Sequence, residues 1–322
     1  MSSSLASTSP APVRLPARRA HWADAVSALL YRRRGLLLAA LLLPPLLWFG
    51  IIYLGSLLSL LAHSFFRLDD FSGLIVYELG FSNFAEIFSP SNLDVAWRTI
   101  LMAVLVTLAC TAIAFPIAYY MARHARGATK ALFYVAVMLP LWSSYLVRLY
   151  AWKLLLAKEG AISWVAQALG VQGALDALLS LPVVGGNSLS FSPLGTFIVF
   201  VYMWLPFMIL PIMAAIERIP PSLLEASGDL GASPRQTFRQ VILPLAMPGV
   251  AAGSIFSFSL TLGDYIIPQV IGNSTLYIGQ VVYRQQGVAG NLPFAAAFSL
   301  VPIVVIVAYL WFAKRKGAFD AL

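Results

Sequence analysis

Asp264 and Arg148 stand inside stretches that are otherwise apolar, and each has aromatic company. Trp142, Tyr145, Tyr150 and Trp152 surround the arginine in sequence, and Tyr265 follows the acid. Residues of these types do electrostatic and cation–π work: an ionised group in apolar surroundings is costly and faces a cavity or a partner, and the faces of Trp and Tyr attract cations. Counted from Leu245, Asp264 lies about 19 residues along an apolar run, roughly 28 Å at the helical rise, near the outer edge of the apolar core. Its candidate partners are a cationic solute, a structural ion pair, or the hydrogen-bonded end of a helix. Arg148 has a similar depth in its own run and can pair with Asp264, line a path, or reach outward to water. Trp142 and Tyr145 are one turn apart and deeper than an interfacial belt, so they are candidates for a cation–π wall.

Groups for other chemistry are scarce. The single cysteine, Cys110, lies in an apolar run and has no intramolecular disulfide partner. His21, His63 and His124 have no metal-ligand spacing, so no metal site is expected. No G-x-x-x-x-G-K-[ST] occurs, which excludes a P-loop. An enzyme working at membrane depth would need converging acids, histidines or a nucleophile, and the apolar runs offer only Asp264.

The elements that carry these residues follow from composition. Of 322 residues 60% are hydrophobic and 11% charged, and the net charge is +8. Apolar runs of about 20 residues mark an integral membrane protein. The basic residues cluster beside those runs, which points to membrane orientation and away from nucleic acid. Six membrane helices are expected over about 36–62, 99–122, 131–155, 194–216, 245–267 and 293–313. Residues 1–35 form a basic tail, with a short interfacial helix near 21–30. Residues 36–313 form the membrane domain and 314–322 a second tail. Arg32-Arg33-Arg34, the Arg123–Lys130 turn, Arg218 with Arg235 and Arg239, and Lys314-Arg315-Lys316 all fall on one side if both ends are cytoplasmic. Pro44-Pro45 should kink the first helix, and residues 81–88 suggest short segments along the membrane surface. No internal repeat is visible.

One polar stretch interrupts this pattern. Glu217 to Pro248 reads as a short helix, a glycine break at Gly231 and a second helix. Ser222 and Glu225 have capping-box spacing, as do Ser233 and Gln236 with Pro234 between them. Gly231 suits the left-handed end of the first helix. A capped, protruding shape on so apolar a chain invites a docking partner.

Glu225-Ala226-Ser227, then Gly231, then Val241-Ile242-Leu243-Pro244 resembles the EAA loop of ABC-importer permeases, with Ser227 and Val241 as small departures. Trp142 to Arg148, Tyr150-Ala151-Trp152, Leu205-Pro206-Phe207-Met208, Leu210-Pro211 and Leu262-Gly263-Asp264-Tyr265 extend the resemblance to permeases of the spermidine/putrescine importer type, over about 36–313. The resemblance implies an all-α, six-helix type I importer fold in the bacterial inner membrane, with 217–244 as the cytoplasmic coupling loop. It implies as partners a dimer of ATP-binding subunits holding ATP and Mg, a second similar permease and a solute-binding protein. This chain would hold no cofactor and do no covalent chemistry. Glu225, Ala226, Ser227, Gly231 and Pro244 would serve the coupling contact. Asp264, Tyr265, Trp142, Tyr145 and Arg148 are the candidates for the solute path. The competing readings are another small polar or charged solute, and a secondary transporter or channel acting alone. The latter often shows inverted repeats or broken helices, and the sequence displays neither.

Overall fold

The computed structural model describes residues 34–69 and 71–315. The basic N-terminal tail, the helix expected near His21–Leu30, and Lys316 with the residues after it lie outside that range. The described residues fall into two compact units divided between Leu60 and Leu61.

In the first unit α1 (Arg34–Leu47) continues through Pro44 and Pro45 and passes into π-helical turns over Trp48–Leu54. Prolines lack the N–H that closes an α-turn, and a π-turn is one way for a helix to absorb the irregularity. Helix α2 (Gly55–His63) carries the chain on.

The second unit opens with a hairpin that the sequence reading lacks. Strand β1 (Arg67–Leu68) pairs antiparallel with β2 (Ile75–Val76). Asp69 fixes the turn, accepting from the Ser72 hydroxyl at 2.6 Å and its N–H at 3.3 Å. The Asn83 amide donates to Ser64 O at 2.9 Å and so ties α3 (Ser82–Ile87) to the start of the hairpin.

Three long helices form the core: α4 (Pro90–Arg123), α9 (Pro193–Glu217) and α12 (Leu243–Gly263), with α9 packed against both others. Phe200, Met203, Met208, Ile212 and Ile216 of α9 are fully buried there. The contact of α9 with α12 depends on Gly249 and Gly253. A Cβ on Gly249 would stand 2.5 Å from Pro211 O, and one on Gly253 would stand 2.6 Å from Met208 Sδ. Small residues four apart let two backbones approach, a packing device common between membrane helices.

Between α4 and α9 the chain forms α5 (Gly127–Trp142), α6 (Tyr145–Leu155), α7 (Ala161–Ala168) and α8 (Gln172–Leu179). After α12 come α13 (Ile266–Val270), α14 (Ile278–Gly287), α15 (Leu292–Phe298) and α16 (Leu300–Arg315). Ser254 and Tyr309 hydroxyls, 2.6 Å apart, join α12 to α16.

Among the described residues five helices are long and apolar enough to cross a membrane, and six when α5 and α6 count as one. Three expected spans differ from the prediction: the second already begins at Pro90, nine residues before 99. The third is not continuous over 131–155: it breaks at Ser143-Ser144 with a bend of 97°. The fifth begins far before Leu245, because α10 (Pro221–Asp229) is followed by one helical run from Pro234 to Gly263 made of α11 (Pro234–Thr237), π-helical Phe238–Ile242 and α12. The second helix expected in the polar stretch is therefore the first turn of a membrane span.

Candidate functional site

The polar stretch departs from α9 at Glu217. Pro221 begins α10 at its first helical position, where a missing N–H costs nothing. Ser222 consequently lies inside the helix, and the capping box expected with Glu225 does not form: the N-cap is Pro220, without a side-chain cap. The far end follows the expected rule. Gly231 has φ +77°, Ala232 N–H donates to Ser227 O at 3.0 Å, and Gly231 N–H to Gly228 O at 2.8 Å. This pair of bonds is the Schellman closure, which uses the carbonyls that a helix end leaves orphaned. Ser233 then caps α11, its N–H donating to Gln236 Oε1 at 2.8 Å.

Ser227, the small departure from the motif, does more than fill an alanine position. Its hydroxyl lies 2.9 Å from that of Thr237 and fastens α10 to the next helical run. Pro244 denies Gln240 its α-helical bond, and the π-turns at Phe238–Ile242 lie just before it. Glu225 and Ala226 are exposed. Leu223 (45% exposed), Ala226 and Leu230 (88% exposed) share one face of α10 at helical spacing.

The second cluster gathers where two helices break. Asp264 is not inside its helix, as the depth count suggested: it caps α12, with ψ 128°, and the chain turns there into α13. Oδ2 of Asp264 accepts from the Tyr145 hydroxyl, and Oδ1 accepts from the Ile267 N–H at 2.9 Å. Gly279 of α14 presses on the same turn, where a Cβ would come within 2.9 Å of Asp264 O. Tyr145 is the first residue of α6, so one hydrogen bond joins the break at 143–144 to the break at 264–265.

Arg148 forms no ion pair with Asp264, whose two oxygens accept from Tyr145 and Ile267; the Arg148 Nε is buried without a hydrogen-bond partner. Trp142 and Tyr145 do not share a helix face. The bend separates them, and Trp142 is 78% exposed at the end of α5. Tyr145 stacks on Trp204 instead (6.4 Å between centroids), and Trp204 continues to Phe207 at 6.0 Å and Phe207 to Phe256 at 6.4 Å. Tyr265 stacks on Tyr283 at 4.7 Å. Trp204, Phe207, Phe256 and Tyr283 were missed in the sequence because nothing in their spacing sets them apart from ordinary lipid-facing aromatics. Trp204 is 8% exposed, and its Nε1 has no hydrogen-bond partner.

The second unit thus joins a close-packed trio of long apolar helices to a helical excursion that carries the EAA-like pattern. The fold agrees with solved importers at identities that speak for fold alone. A bacterial alginate ABC transporter in complex with alginate pentasaccharide-bound periplasmic protein matches with TM-score 0.70 and 18% identity, over 94% of this chain and 99% of that one. The MetNI methionine ABC transporter in inward-facing form matches with TM-score 0.52 and 16% identity, over 71% and 95%. Residues 114–316 match the family described as binding-protein-dependent transport system inner membrane component, and the chain belongs to that family. It is 59% identical to the inner membrane ABC transporter permease protein YdcU of Escherichia coli (strain K12), over 92% of this chain and 95% of the relative. It is 31% identical to the spermidine/putrescine transport system permease protein PotB of Haemophilus influenzae, over 84% and 90%, and equally to PotB of Escherichia coli (strain K12), over 80% and 90%. The chain is thus a multi-pass membrane transport subunit and not an enzyme. Its helices do break, contrary to the sequence reading, so that trait does not separate it from transporters that act alone; family membership does.

Proposed function

We propose that this permease imports a small polycationic solute of the polyamine class across a bacterial inner membrane, with both chain ends and residues 217–244 in the cytoplasm. A solute-binding protein delivers the solute, a second similar permease completes the pathway, and a dimer of ATP-binding subunits, holding ATP and Mg, drives it. The observation that carries the coupling role is the apolar face of α10, with Leu230 thrust out beside the Gly231 turn. Glu225, Ala226, Ser227 and Gly231 shape or flank that face, and Pro244 serves the same contact from the start of the span that follows. The orientation rests on the basic residues gathered at 123–130, 218–239 and 314–315.

The polyamine class is supported by the names of relatives at 31% identity; the 59% relative's name specifies no solute. The chemistry is compatible. Asp264 with Tyr145 and Tyr265 supplies negative charge and ring faces for ammonium groups, and the row from Trp204 to Phe207 packs behind Tyr145. In this reading Arg148 limits how tightly a cation rests there, which a conducting path requires, and Trp142 stands at the mouth formed by the bend. The test is uptake of radiolabelled putrescine by liposomes holding the whole importer, with spermidine, an acidic sugar and methionine as competitors. Competition by spermidine alone supports the class. Competition by the acidic sugar or methionine, or absence of putrescine uptake, removes it.

A further inference from the structure

The basic turn between α4 and α5 served above only to orient the chain. In the structure it grips the root of the polar stretch. Arg123, the last residue of α4, donates from Nη2 to Ile216 O at 2.8 Å and to Ile219 O at 2.9 Å. Those carbonyls belong to the final turn of α9 and to the link that leads into α10. A helix C-terminus carries orphan carbonyls and partial negative charge, so a guanidinium is the side chain suited to it. From α5, Lys130 Nζ pairs with Glu217, the last residue of α9, at 2.7 Å. Two neighbouring helices therefore hold the same four residues, 216–219, by three bonds.

The turn that supplies these side chains is itself stiff. His124 and Ala125 N–H groups both donate to Tyr120 O at 2.9 Å. The His124 ring stacks on Tyr120 with planes 4° apart, and Tyr120 contacts Phe133 across the turn at 5.3 Å. Gly127 at φ +52° lets the chain reverse sharply into α5. On the other side of the polar stretch, Phe238 sits edge-on against Phe115 and Tyr119 of α4, at 5.6 and 5.9 Å. α4 thus holds both ends of the excursion: Arg123 at its entry and the Phe115–Tyr119 pair at its exit.

We propose that Arg123 and Lys130 are positioning residues for coupling: they fasten residues 216–219, the root from which α10 departs, to the α4–α5 turn, so that a push delivered through α10 to its root moves α4 and α5 with it. Through α5 the push arrives at the 97° bend, beyond which Tyr145 holds Asp264. Without the two cations residues 216–219 would come loose from the α4–α5 turn, and hydrolysis would proceed without moving those spans. This rests on the coupling role of 217–244, and a readout that needs no solute keeps the two separable.

The test uses the full importer in liposomes, with Cys110→Ala and spin labels on Ala128→Cys and Gly228→Cys, both exposed positions. The expected result is one narrow 128–228 distance distribution, the same without nucleotide and with ATP plus vanadate. Arg123→Gln with Lys130→Gln should broaden it and lower putrescine taken up per ATP hydrolysed several-fold while hydrolysis persists. Arg123→Lys, which keeps the charge, should fall between, and Lys130→Glu with Glu217→Lys should recover most of what Lys130→Glu alone loses. The proposal is overturned if the wild-type distance shifts between the two states. It is equally overturned if the variants keep the wild-type distribution, or if uptake and hydrolysis fall in the same proportion, as they would for a merely less stable complex. Absence of putrescine uptake by the wild type would count against the solute class alone, since the distances need no solute.

Discussion

Asparagine at position 264 would keep both contacts of the native acid and lose only its charge. Its amide oxygen can still accept from Ile267, and its amide nitrogen can donate to the Tyr145 oxygen, the hydroxyl now accepting. Asp264→Asn should therefore assemble and hydrolyse ATP normally but take up less putrescine at limiting concentration; full uptake would dismiss the charge from the solute path. Tyr145→Phe does the reverse. It spares the charge and strips one carboxylate oxygen of its donor, at a cost of about 1–3 kcal/mol, so thermal stability in detergent should drop. At the other site, Gly231→Val meets open space, because no atom lies within 4 Å of a Cβ there, yet φ is +77°. The strain is about 1–3 kcal/mol, enough to unseat the turn without unfolding the membrane domain. Leu230→Asp leaves the backbone alone and spoils only the apolar face. Both variants should insert normally and copurify with less ATP-binding subunit; undiminished copurification by Leu230→Asp would remove the docking role of that face.

Elements were legible where one strong signal governed them. Gly231 and Ser233 were placed correctly because a left-handed turn and a helix cap each admit few residue types. Ser222 misled because its spacing to Glu225 was right but Pro221 makes a better first helical residue, so the helix begins two residues sooner. The break at Ser143-Ser144 is silent in sequence: two serines in an apolar run are ordinary, and the acid that Tyr145 meets beyond the break lies 119 positions away. The Gly249–Gly253 pair passes unremarked in the sequence, because its meaning lies in a partner surface on α9 that spacing does not reveal. Gly249→Val should push directly on the Pro211 carbonyl. Overpacking of that kind costs about 1–3 kcal/mol, and the midpoint of thermal unfolding of the purified complex should fall, whereas Gly228→Ala on exposed α10 should leave it unchanged.

Across the whole chain, the proposed orientation places 126 and 235 on one side of the membrane and 183 and 288 on the other. Labelling with an impermeant thiol reagent, one introduced cysteine at a time on Cys110→Ala, should separate these pairs; Val183 and Val288 serve because they are 81% and 80% exposed. Reaction of 126 and 288 from the same side would overturn the map. The bend between α5 and α6 also has a consequence for how the protein is made. With 16 residues α5 is about 24 Å long, short of the roughly 30 Å hydrocarbon layer. Backbone groups at the corner would face lipid unpaired until protein surrounds them. Newly synthesised 127–155 should therefore linger at the insertion machinery until α9 and α12 emerge. A nascent chain stopped before residue 193 should integrate that segment poorly, and one extended through residue 263 should integrate it well.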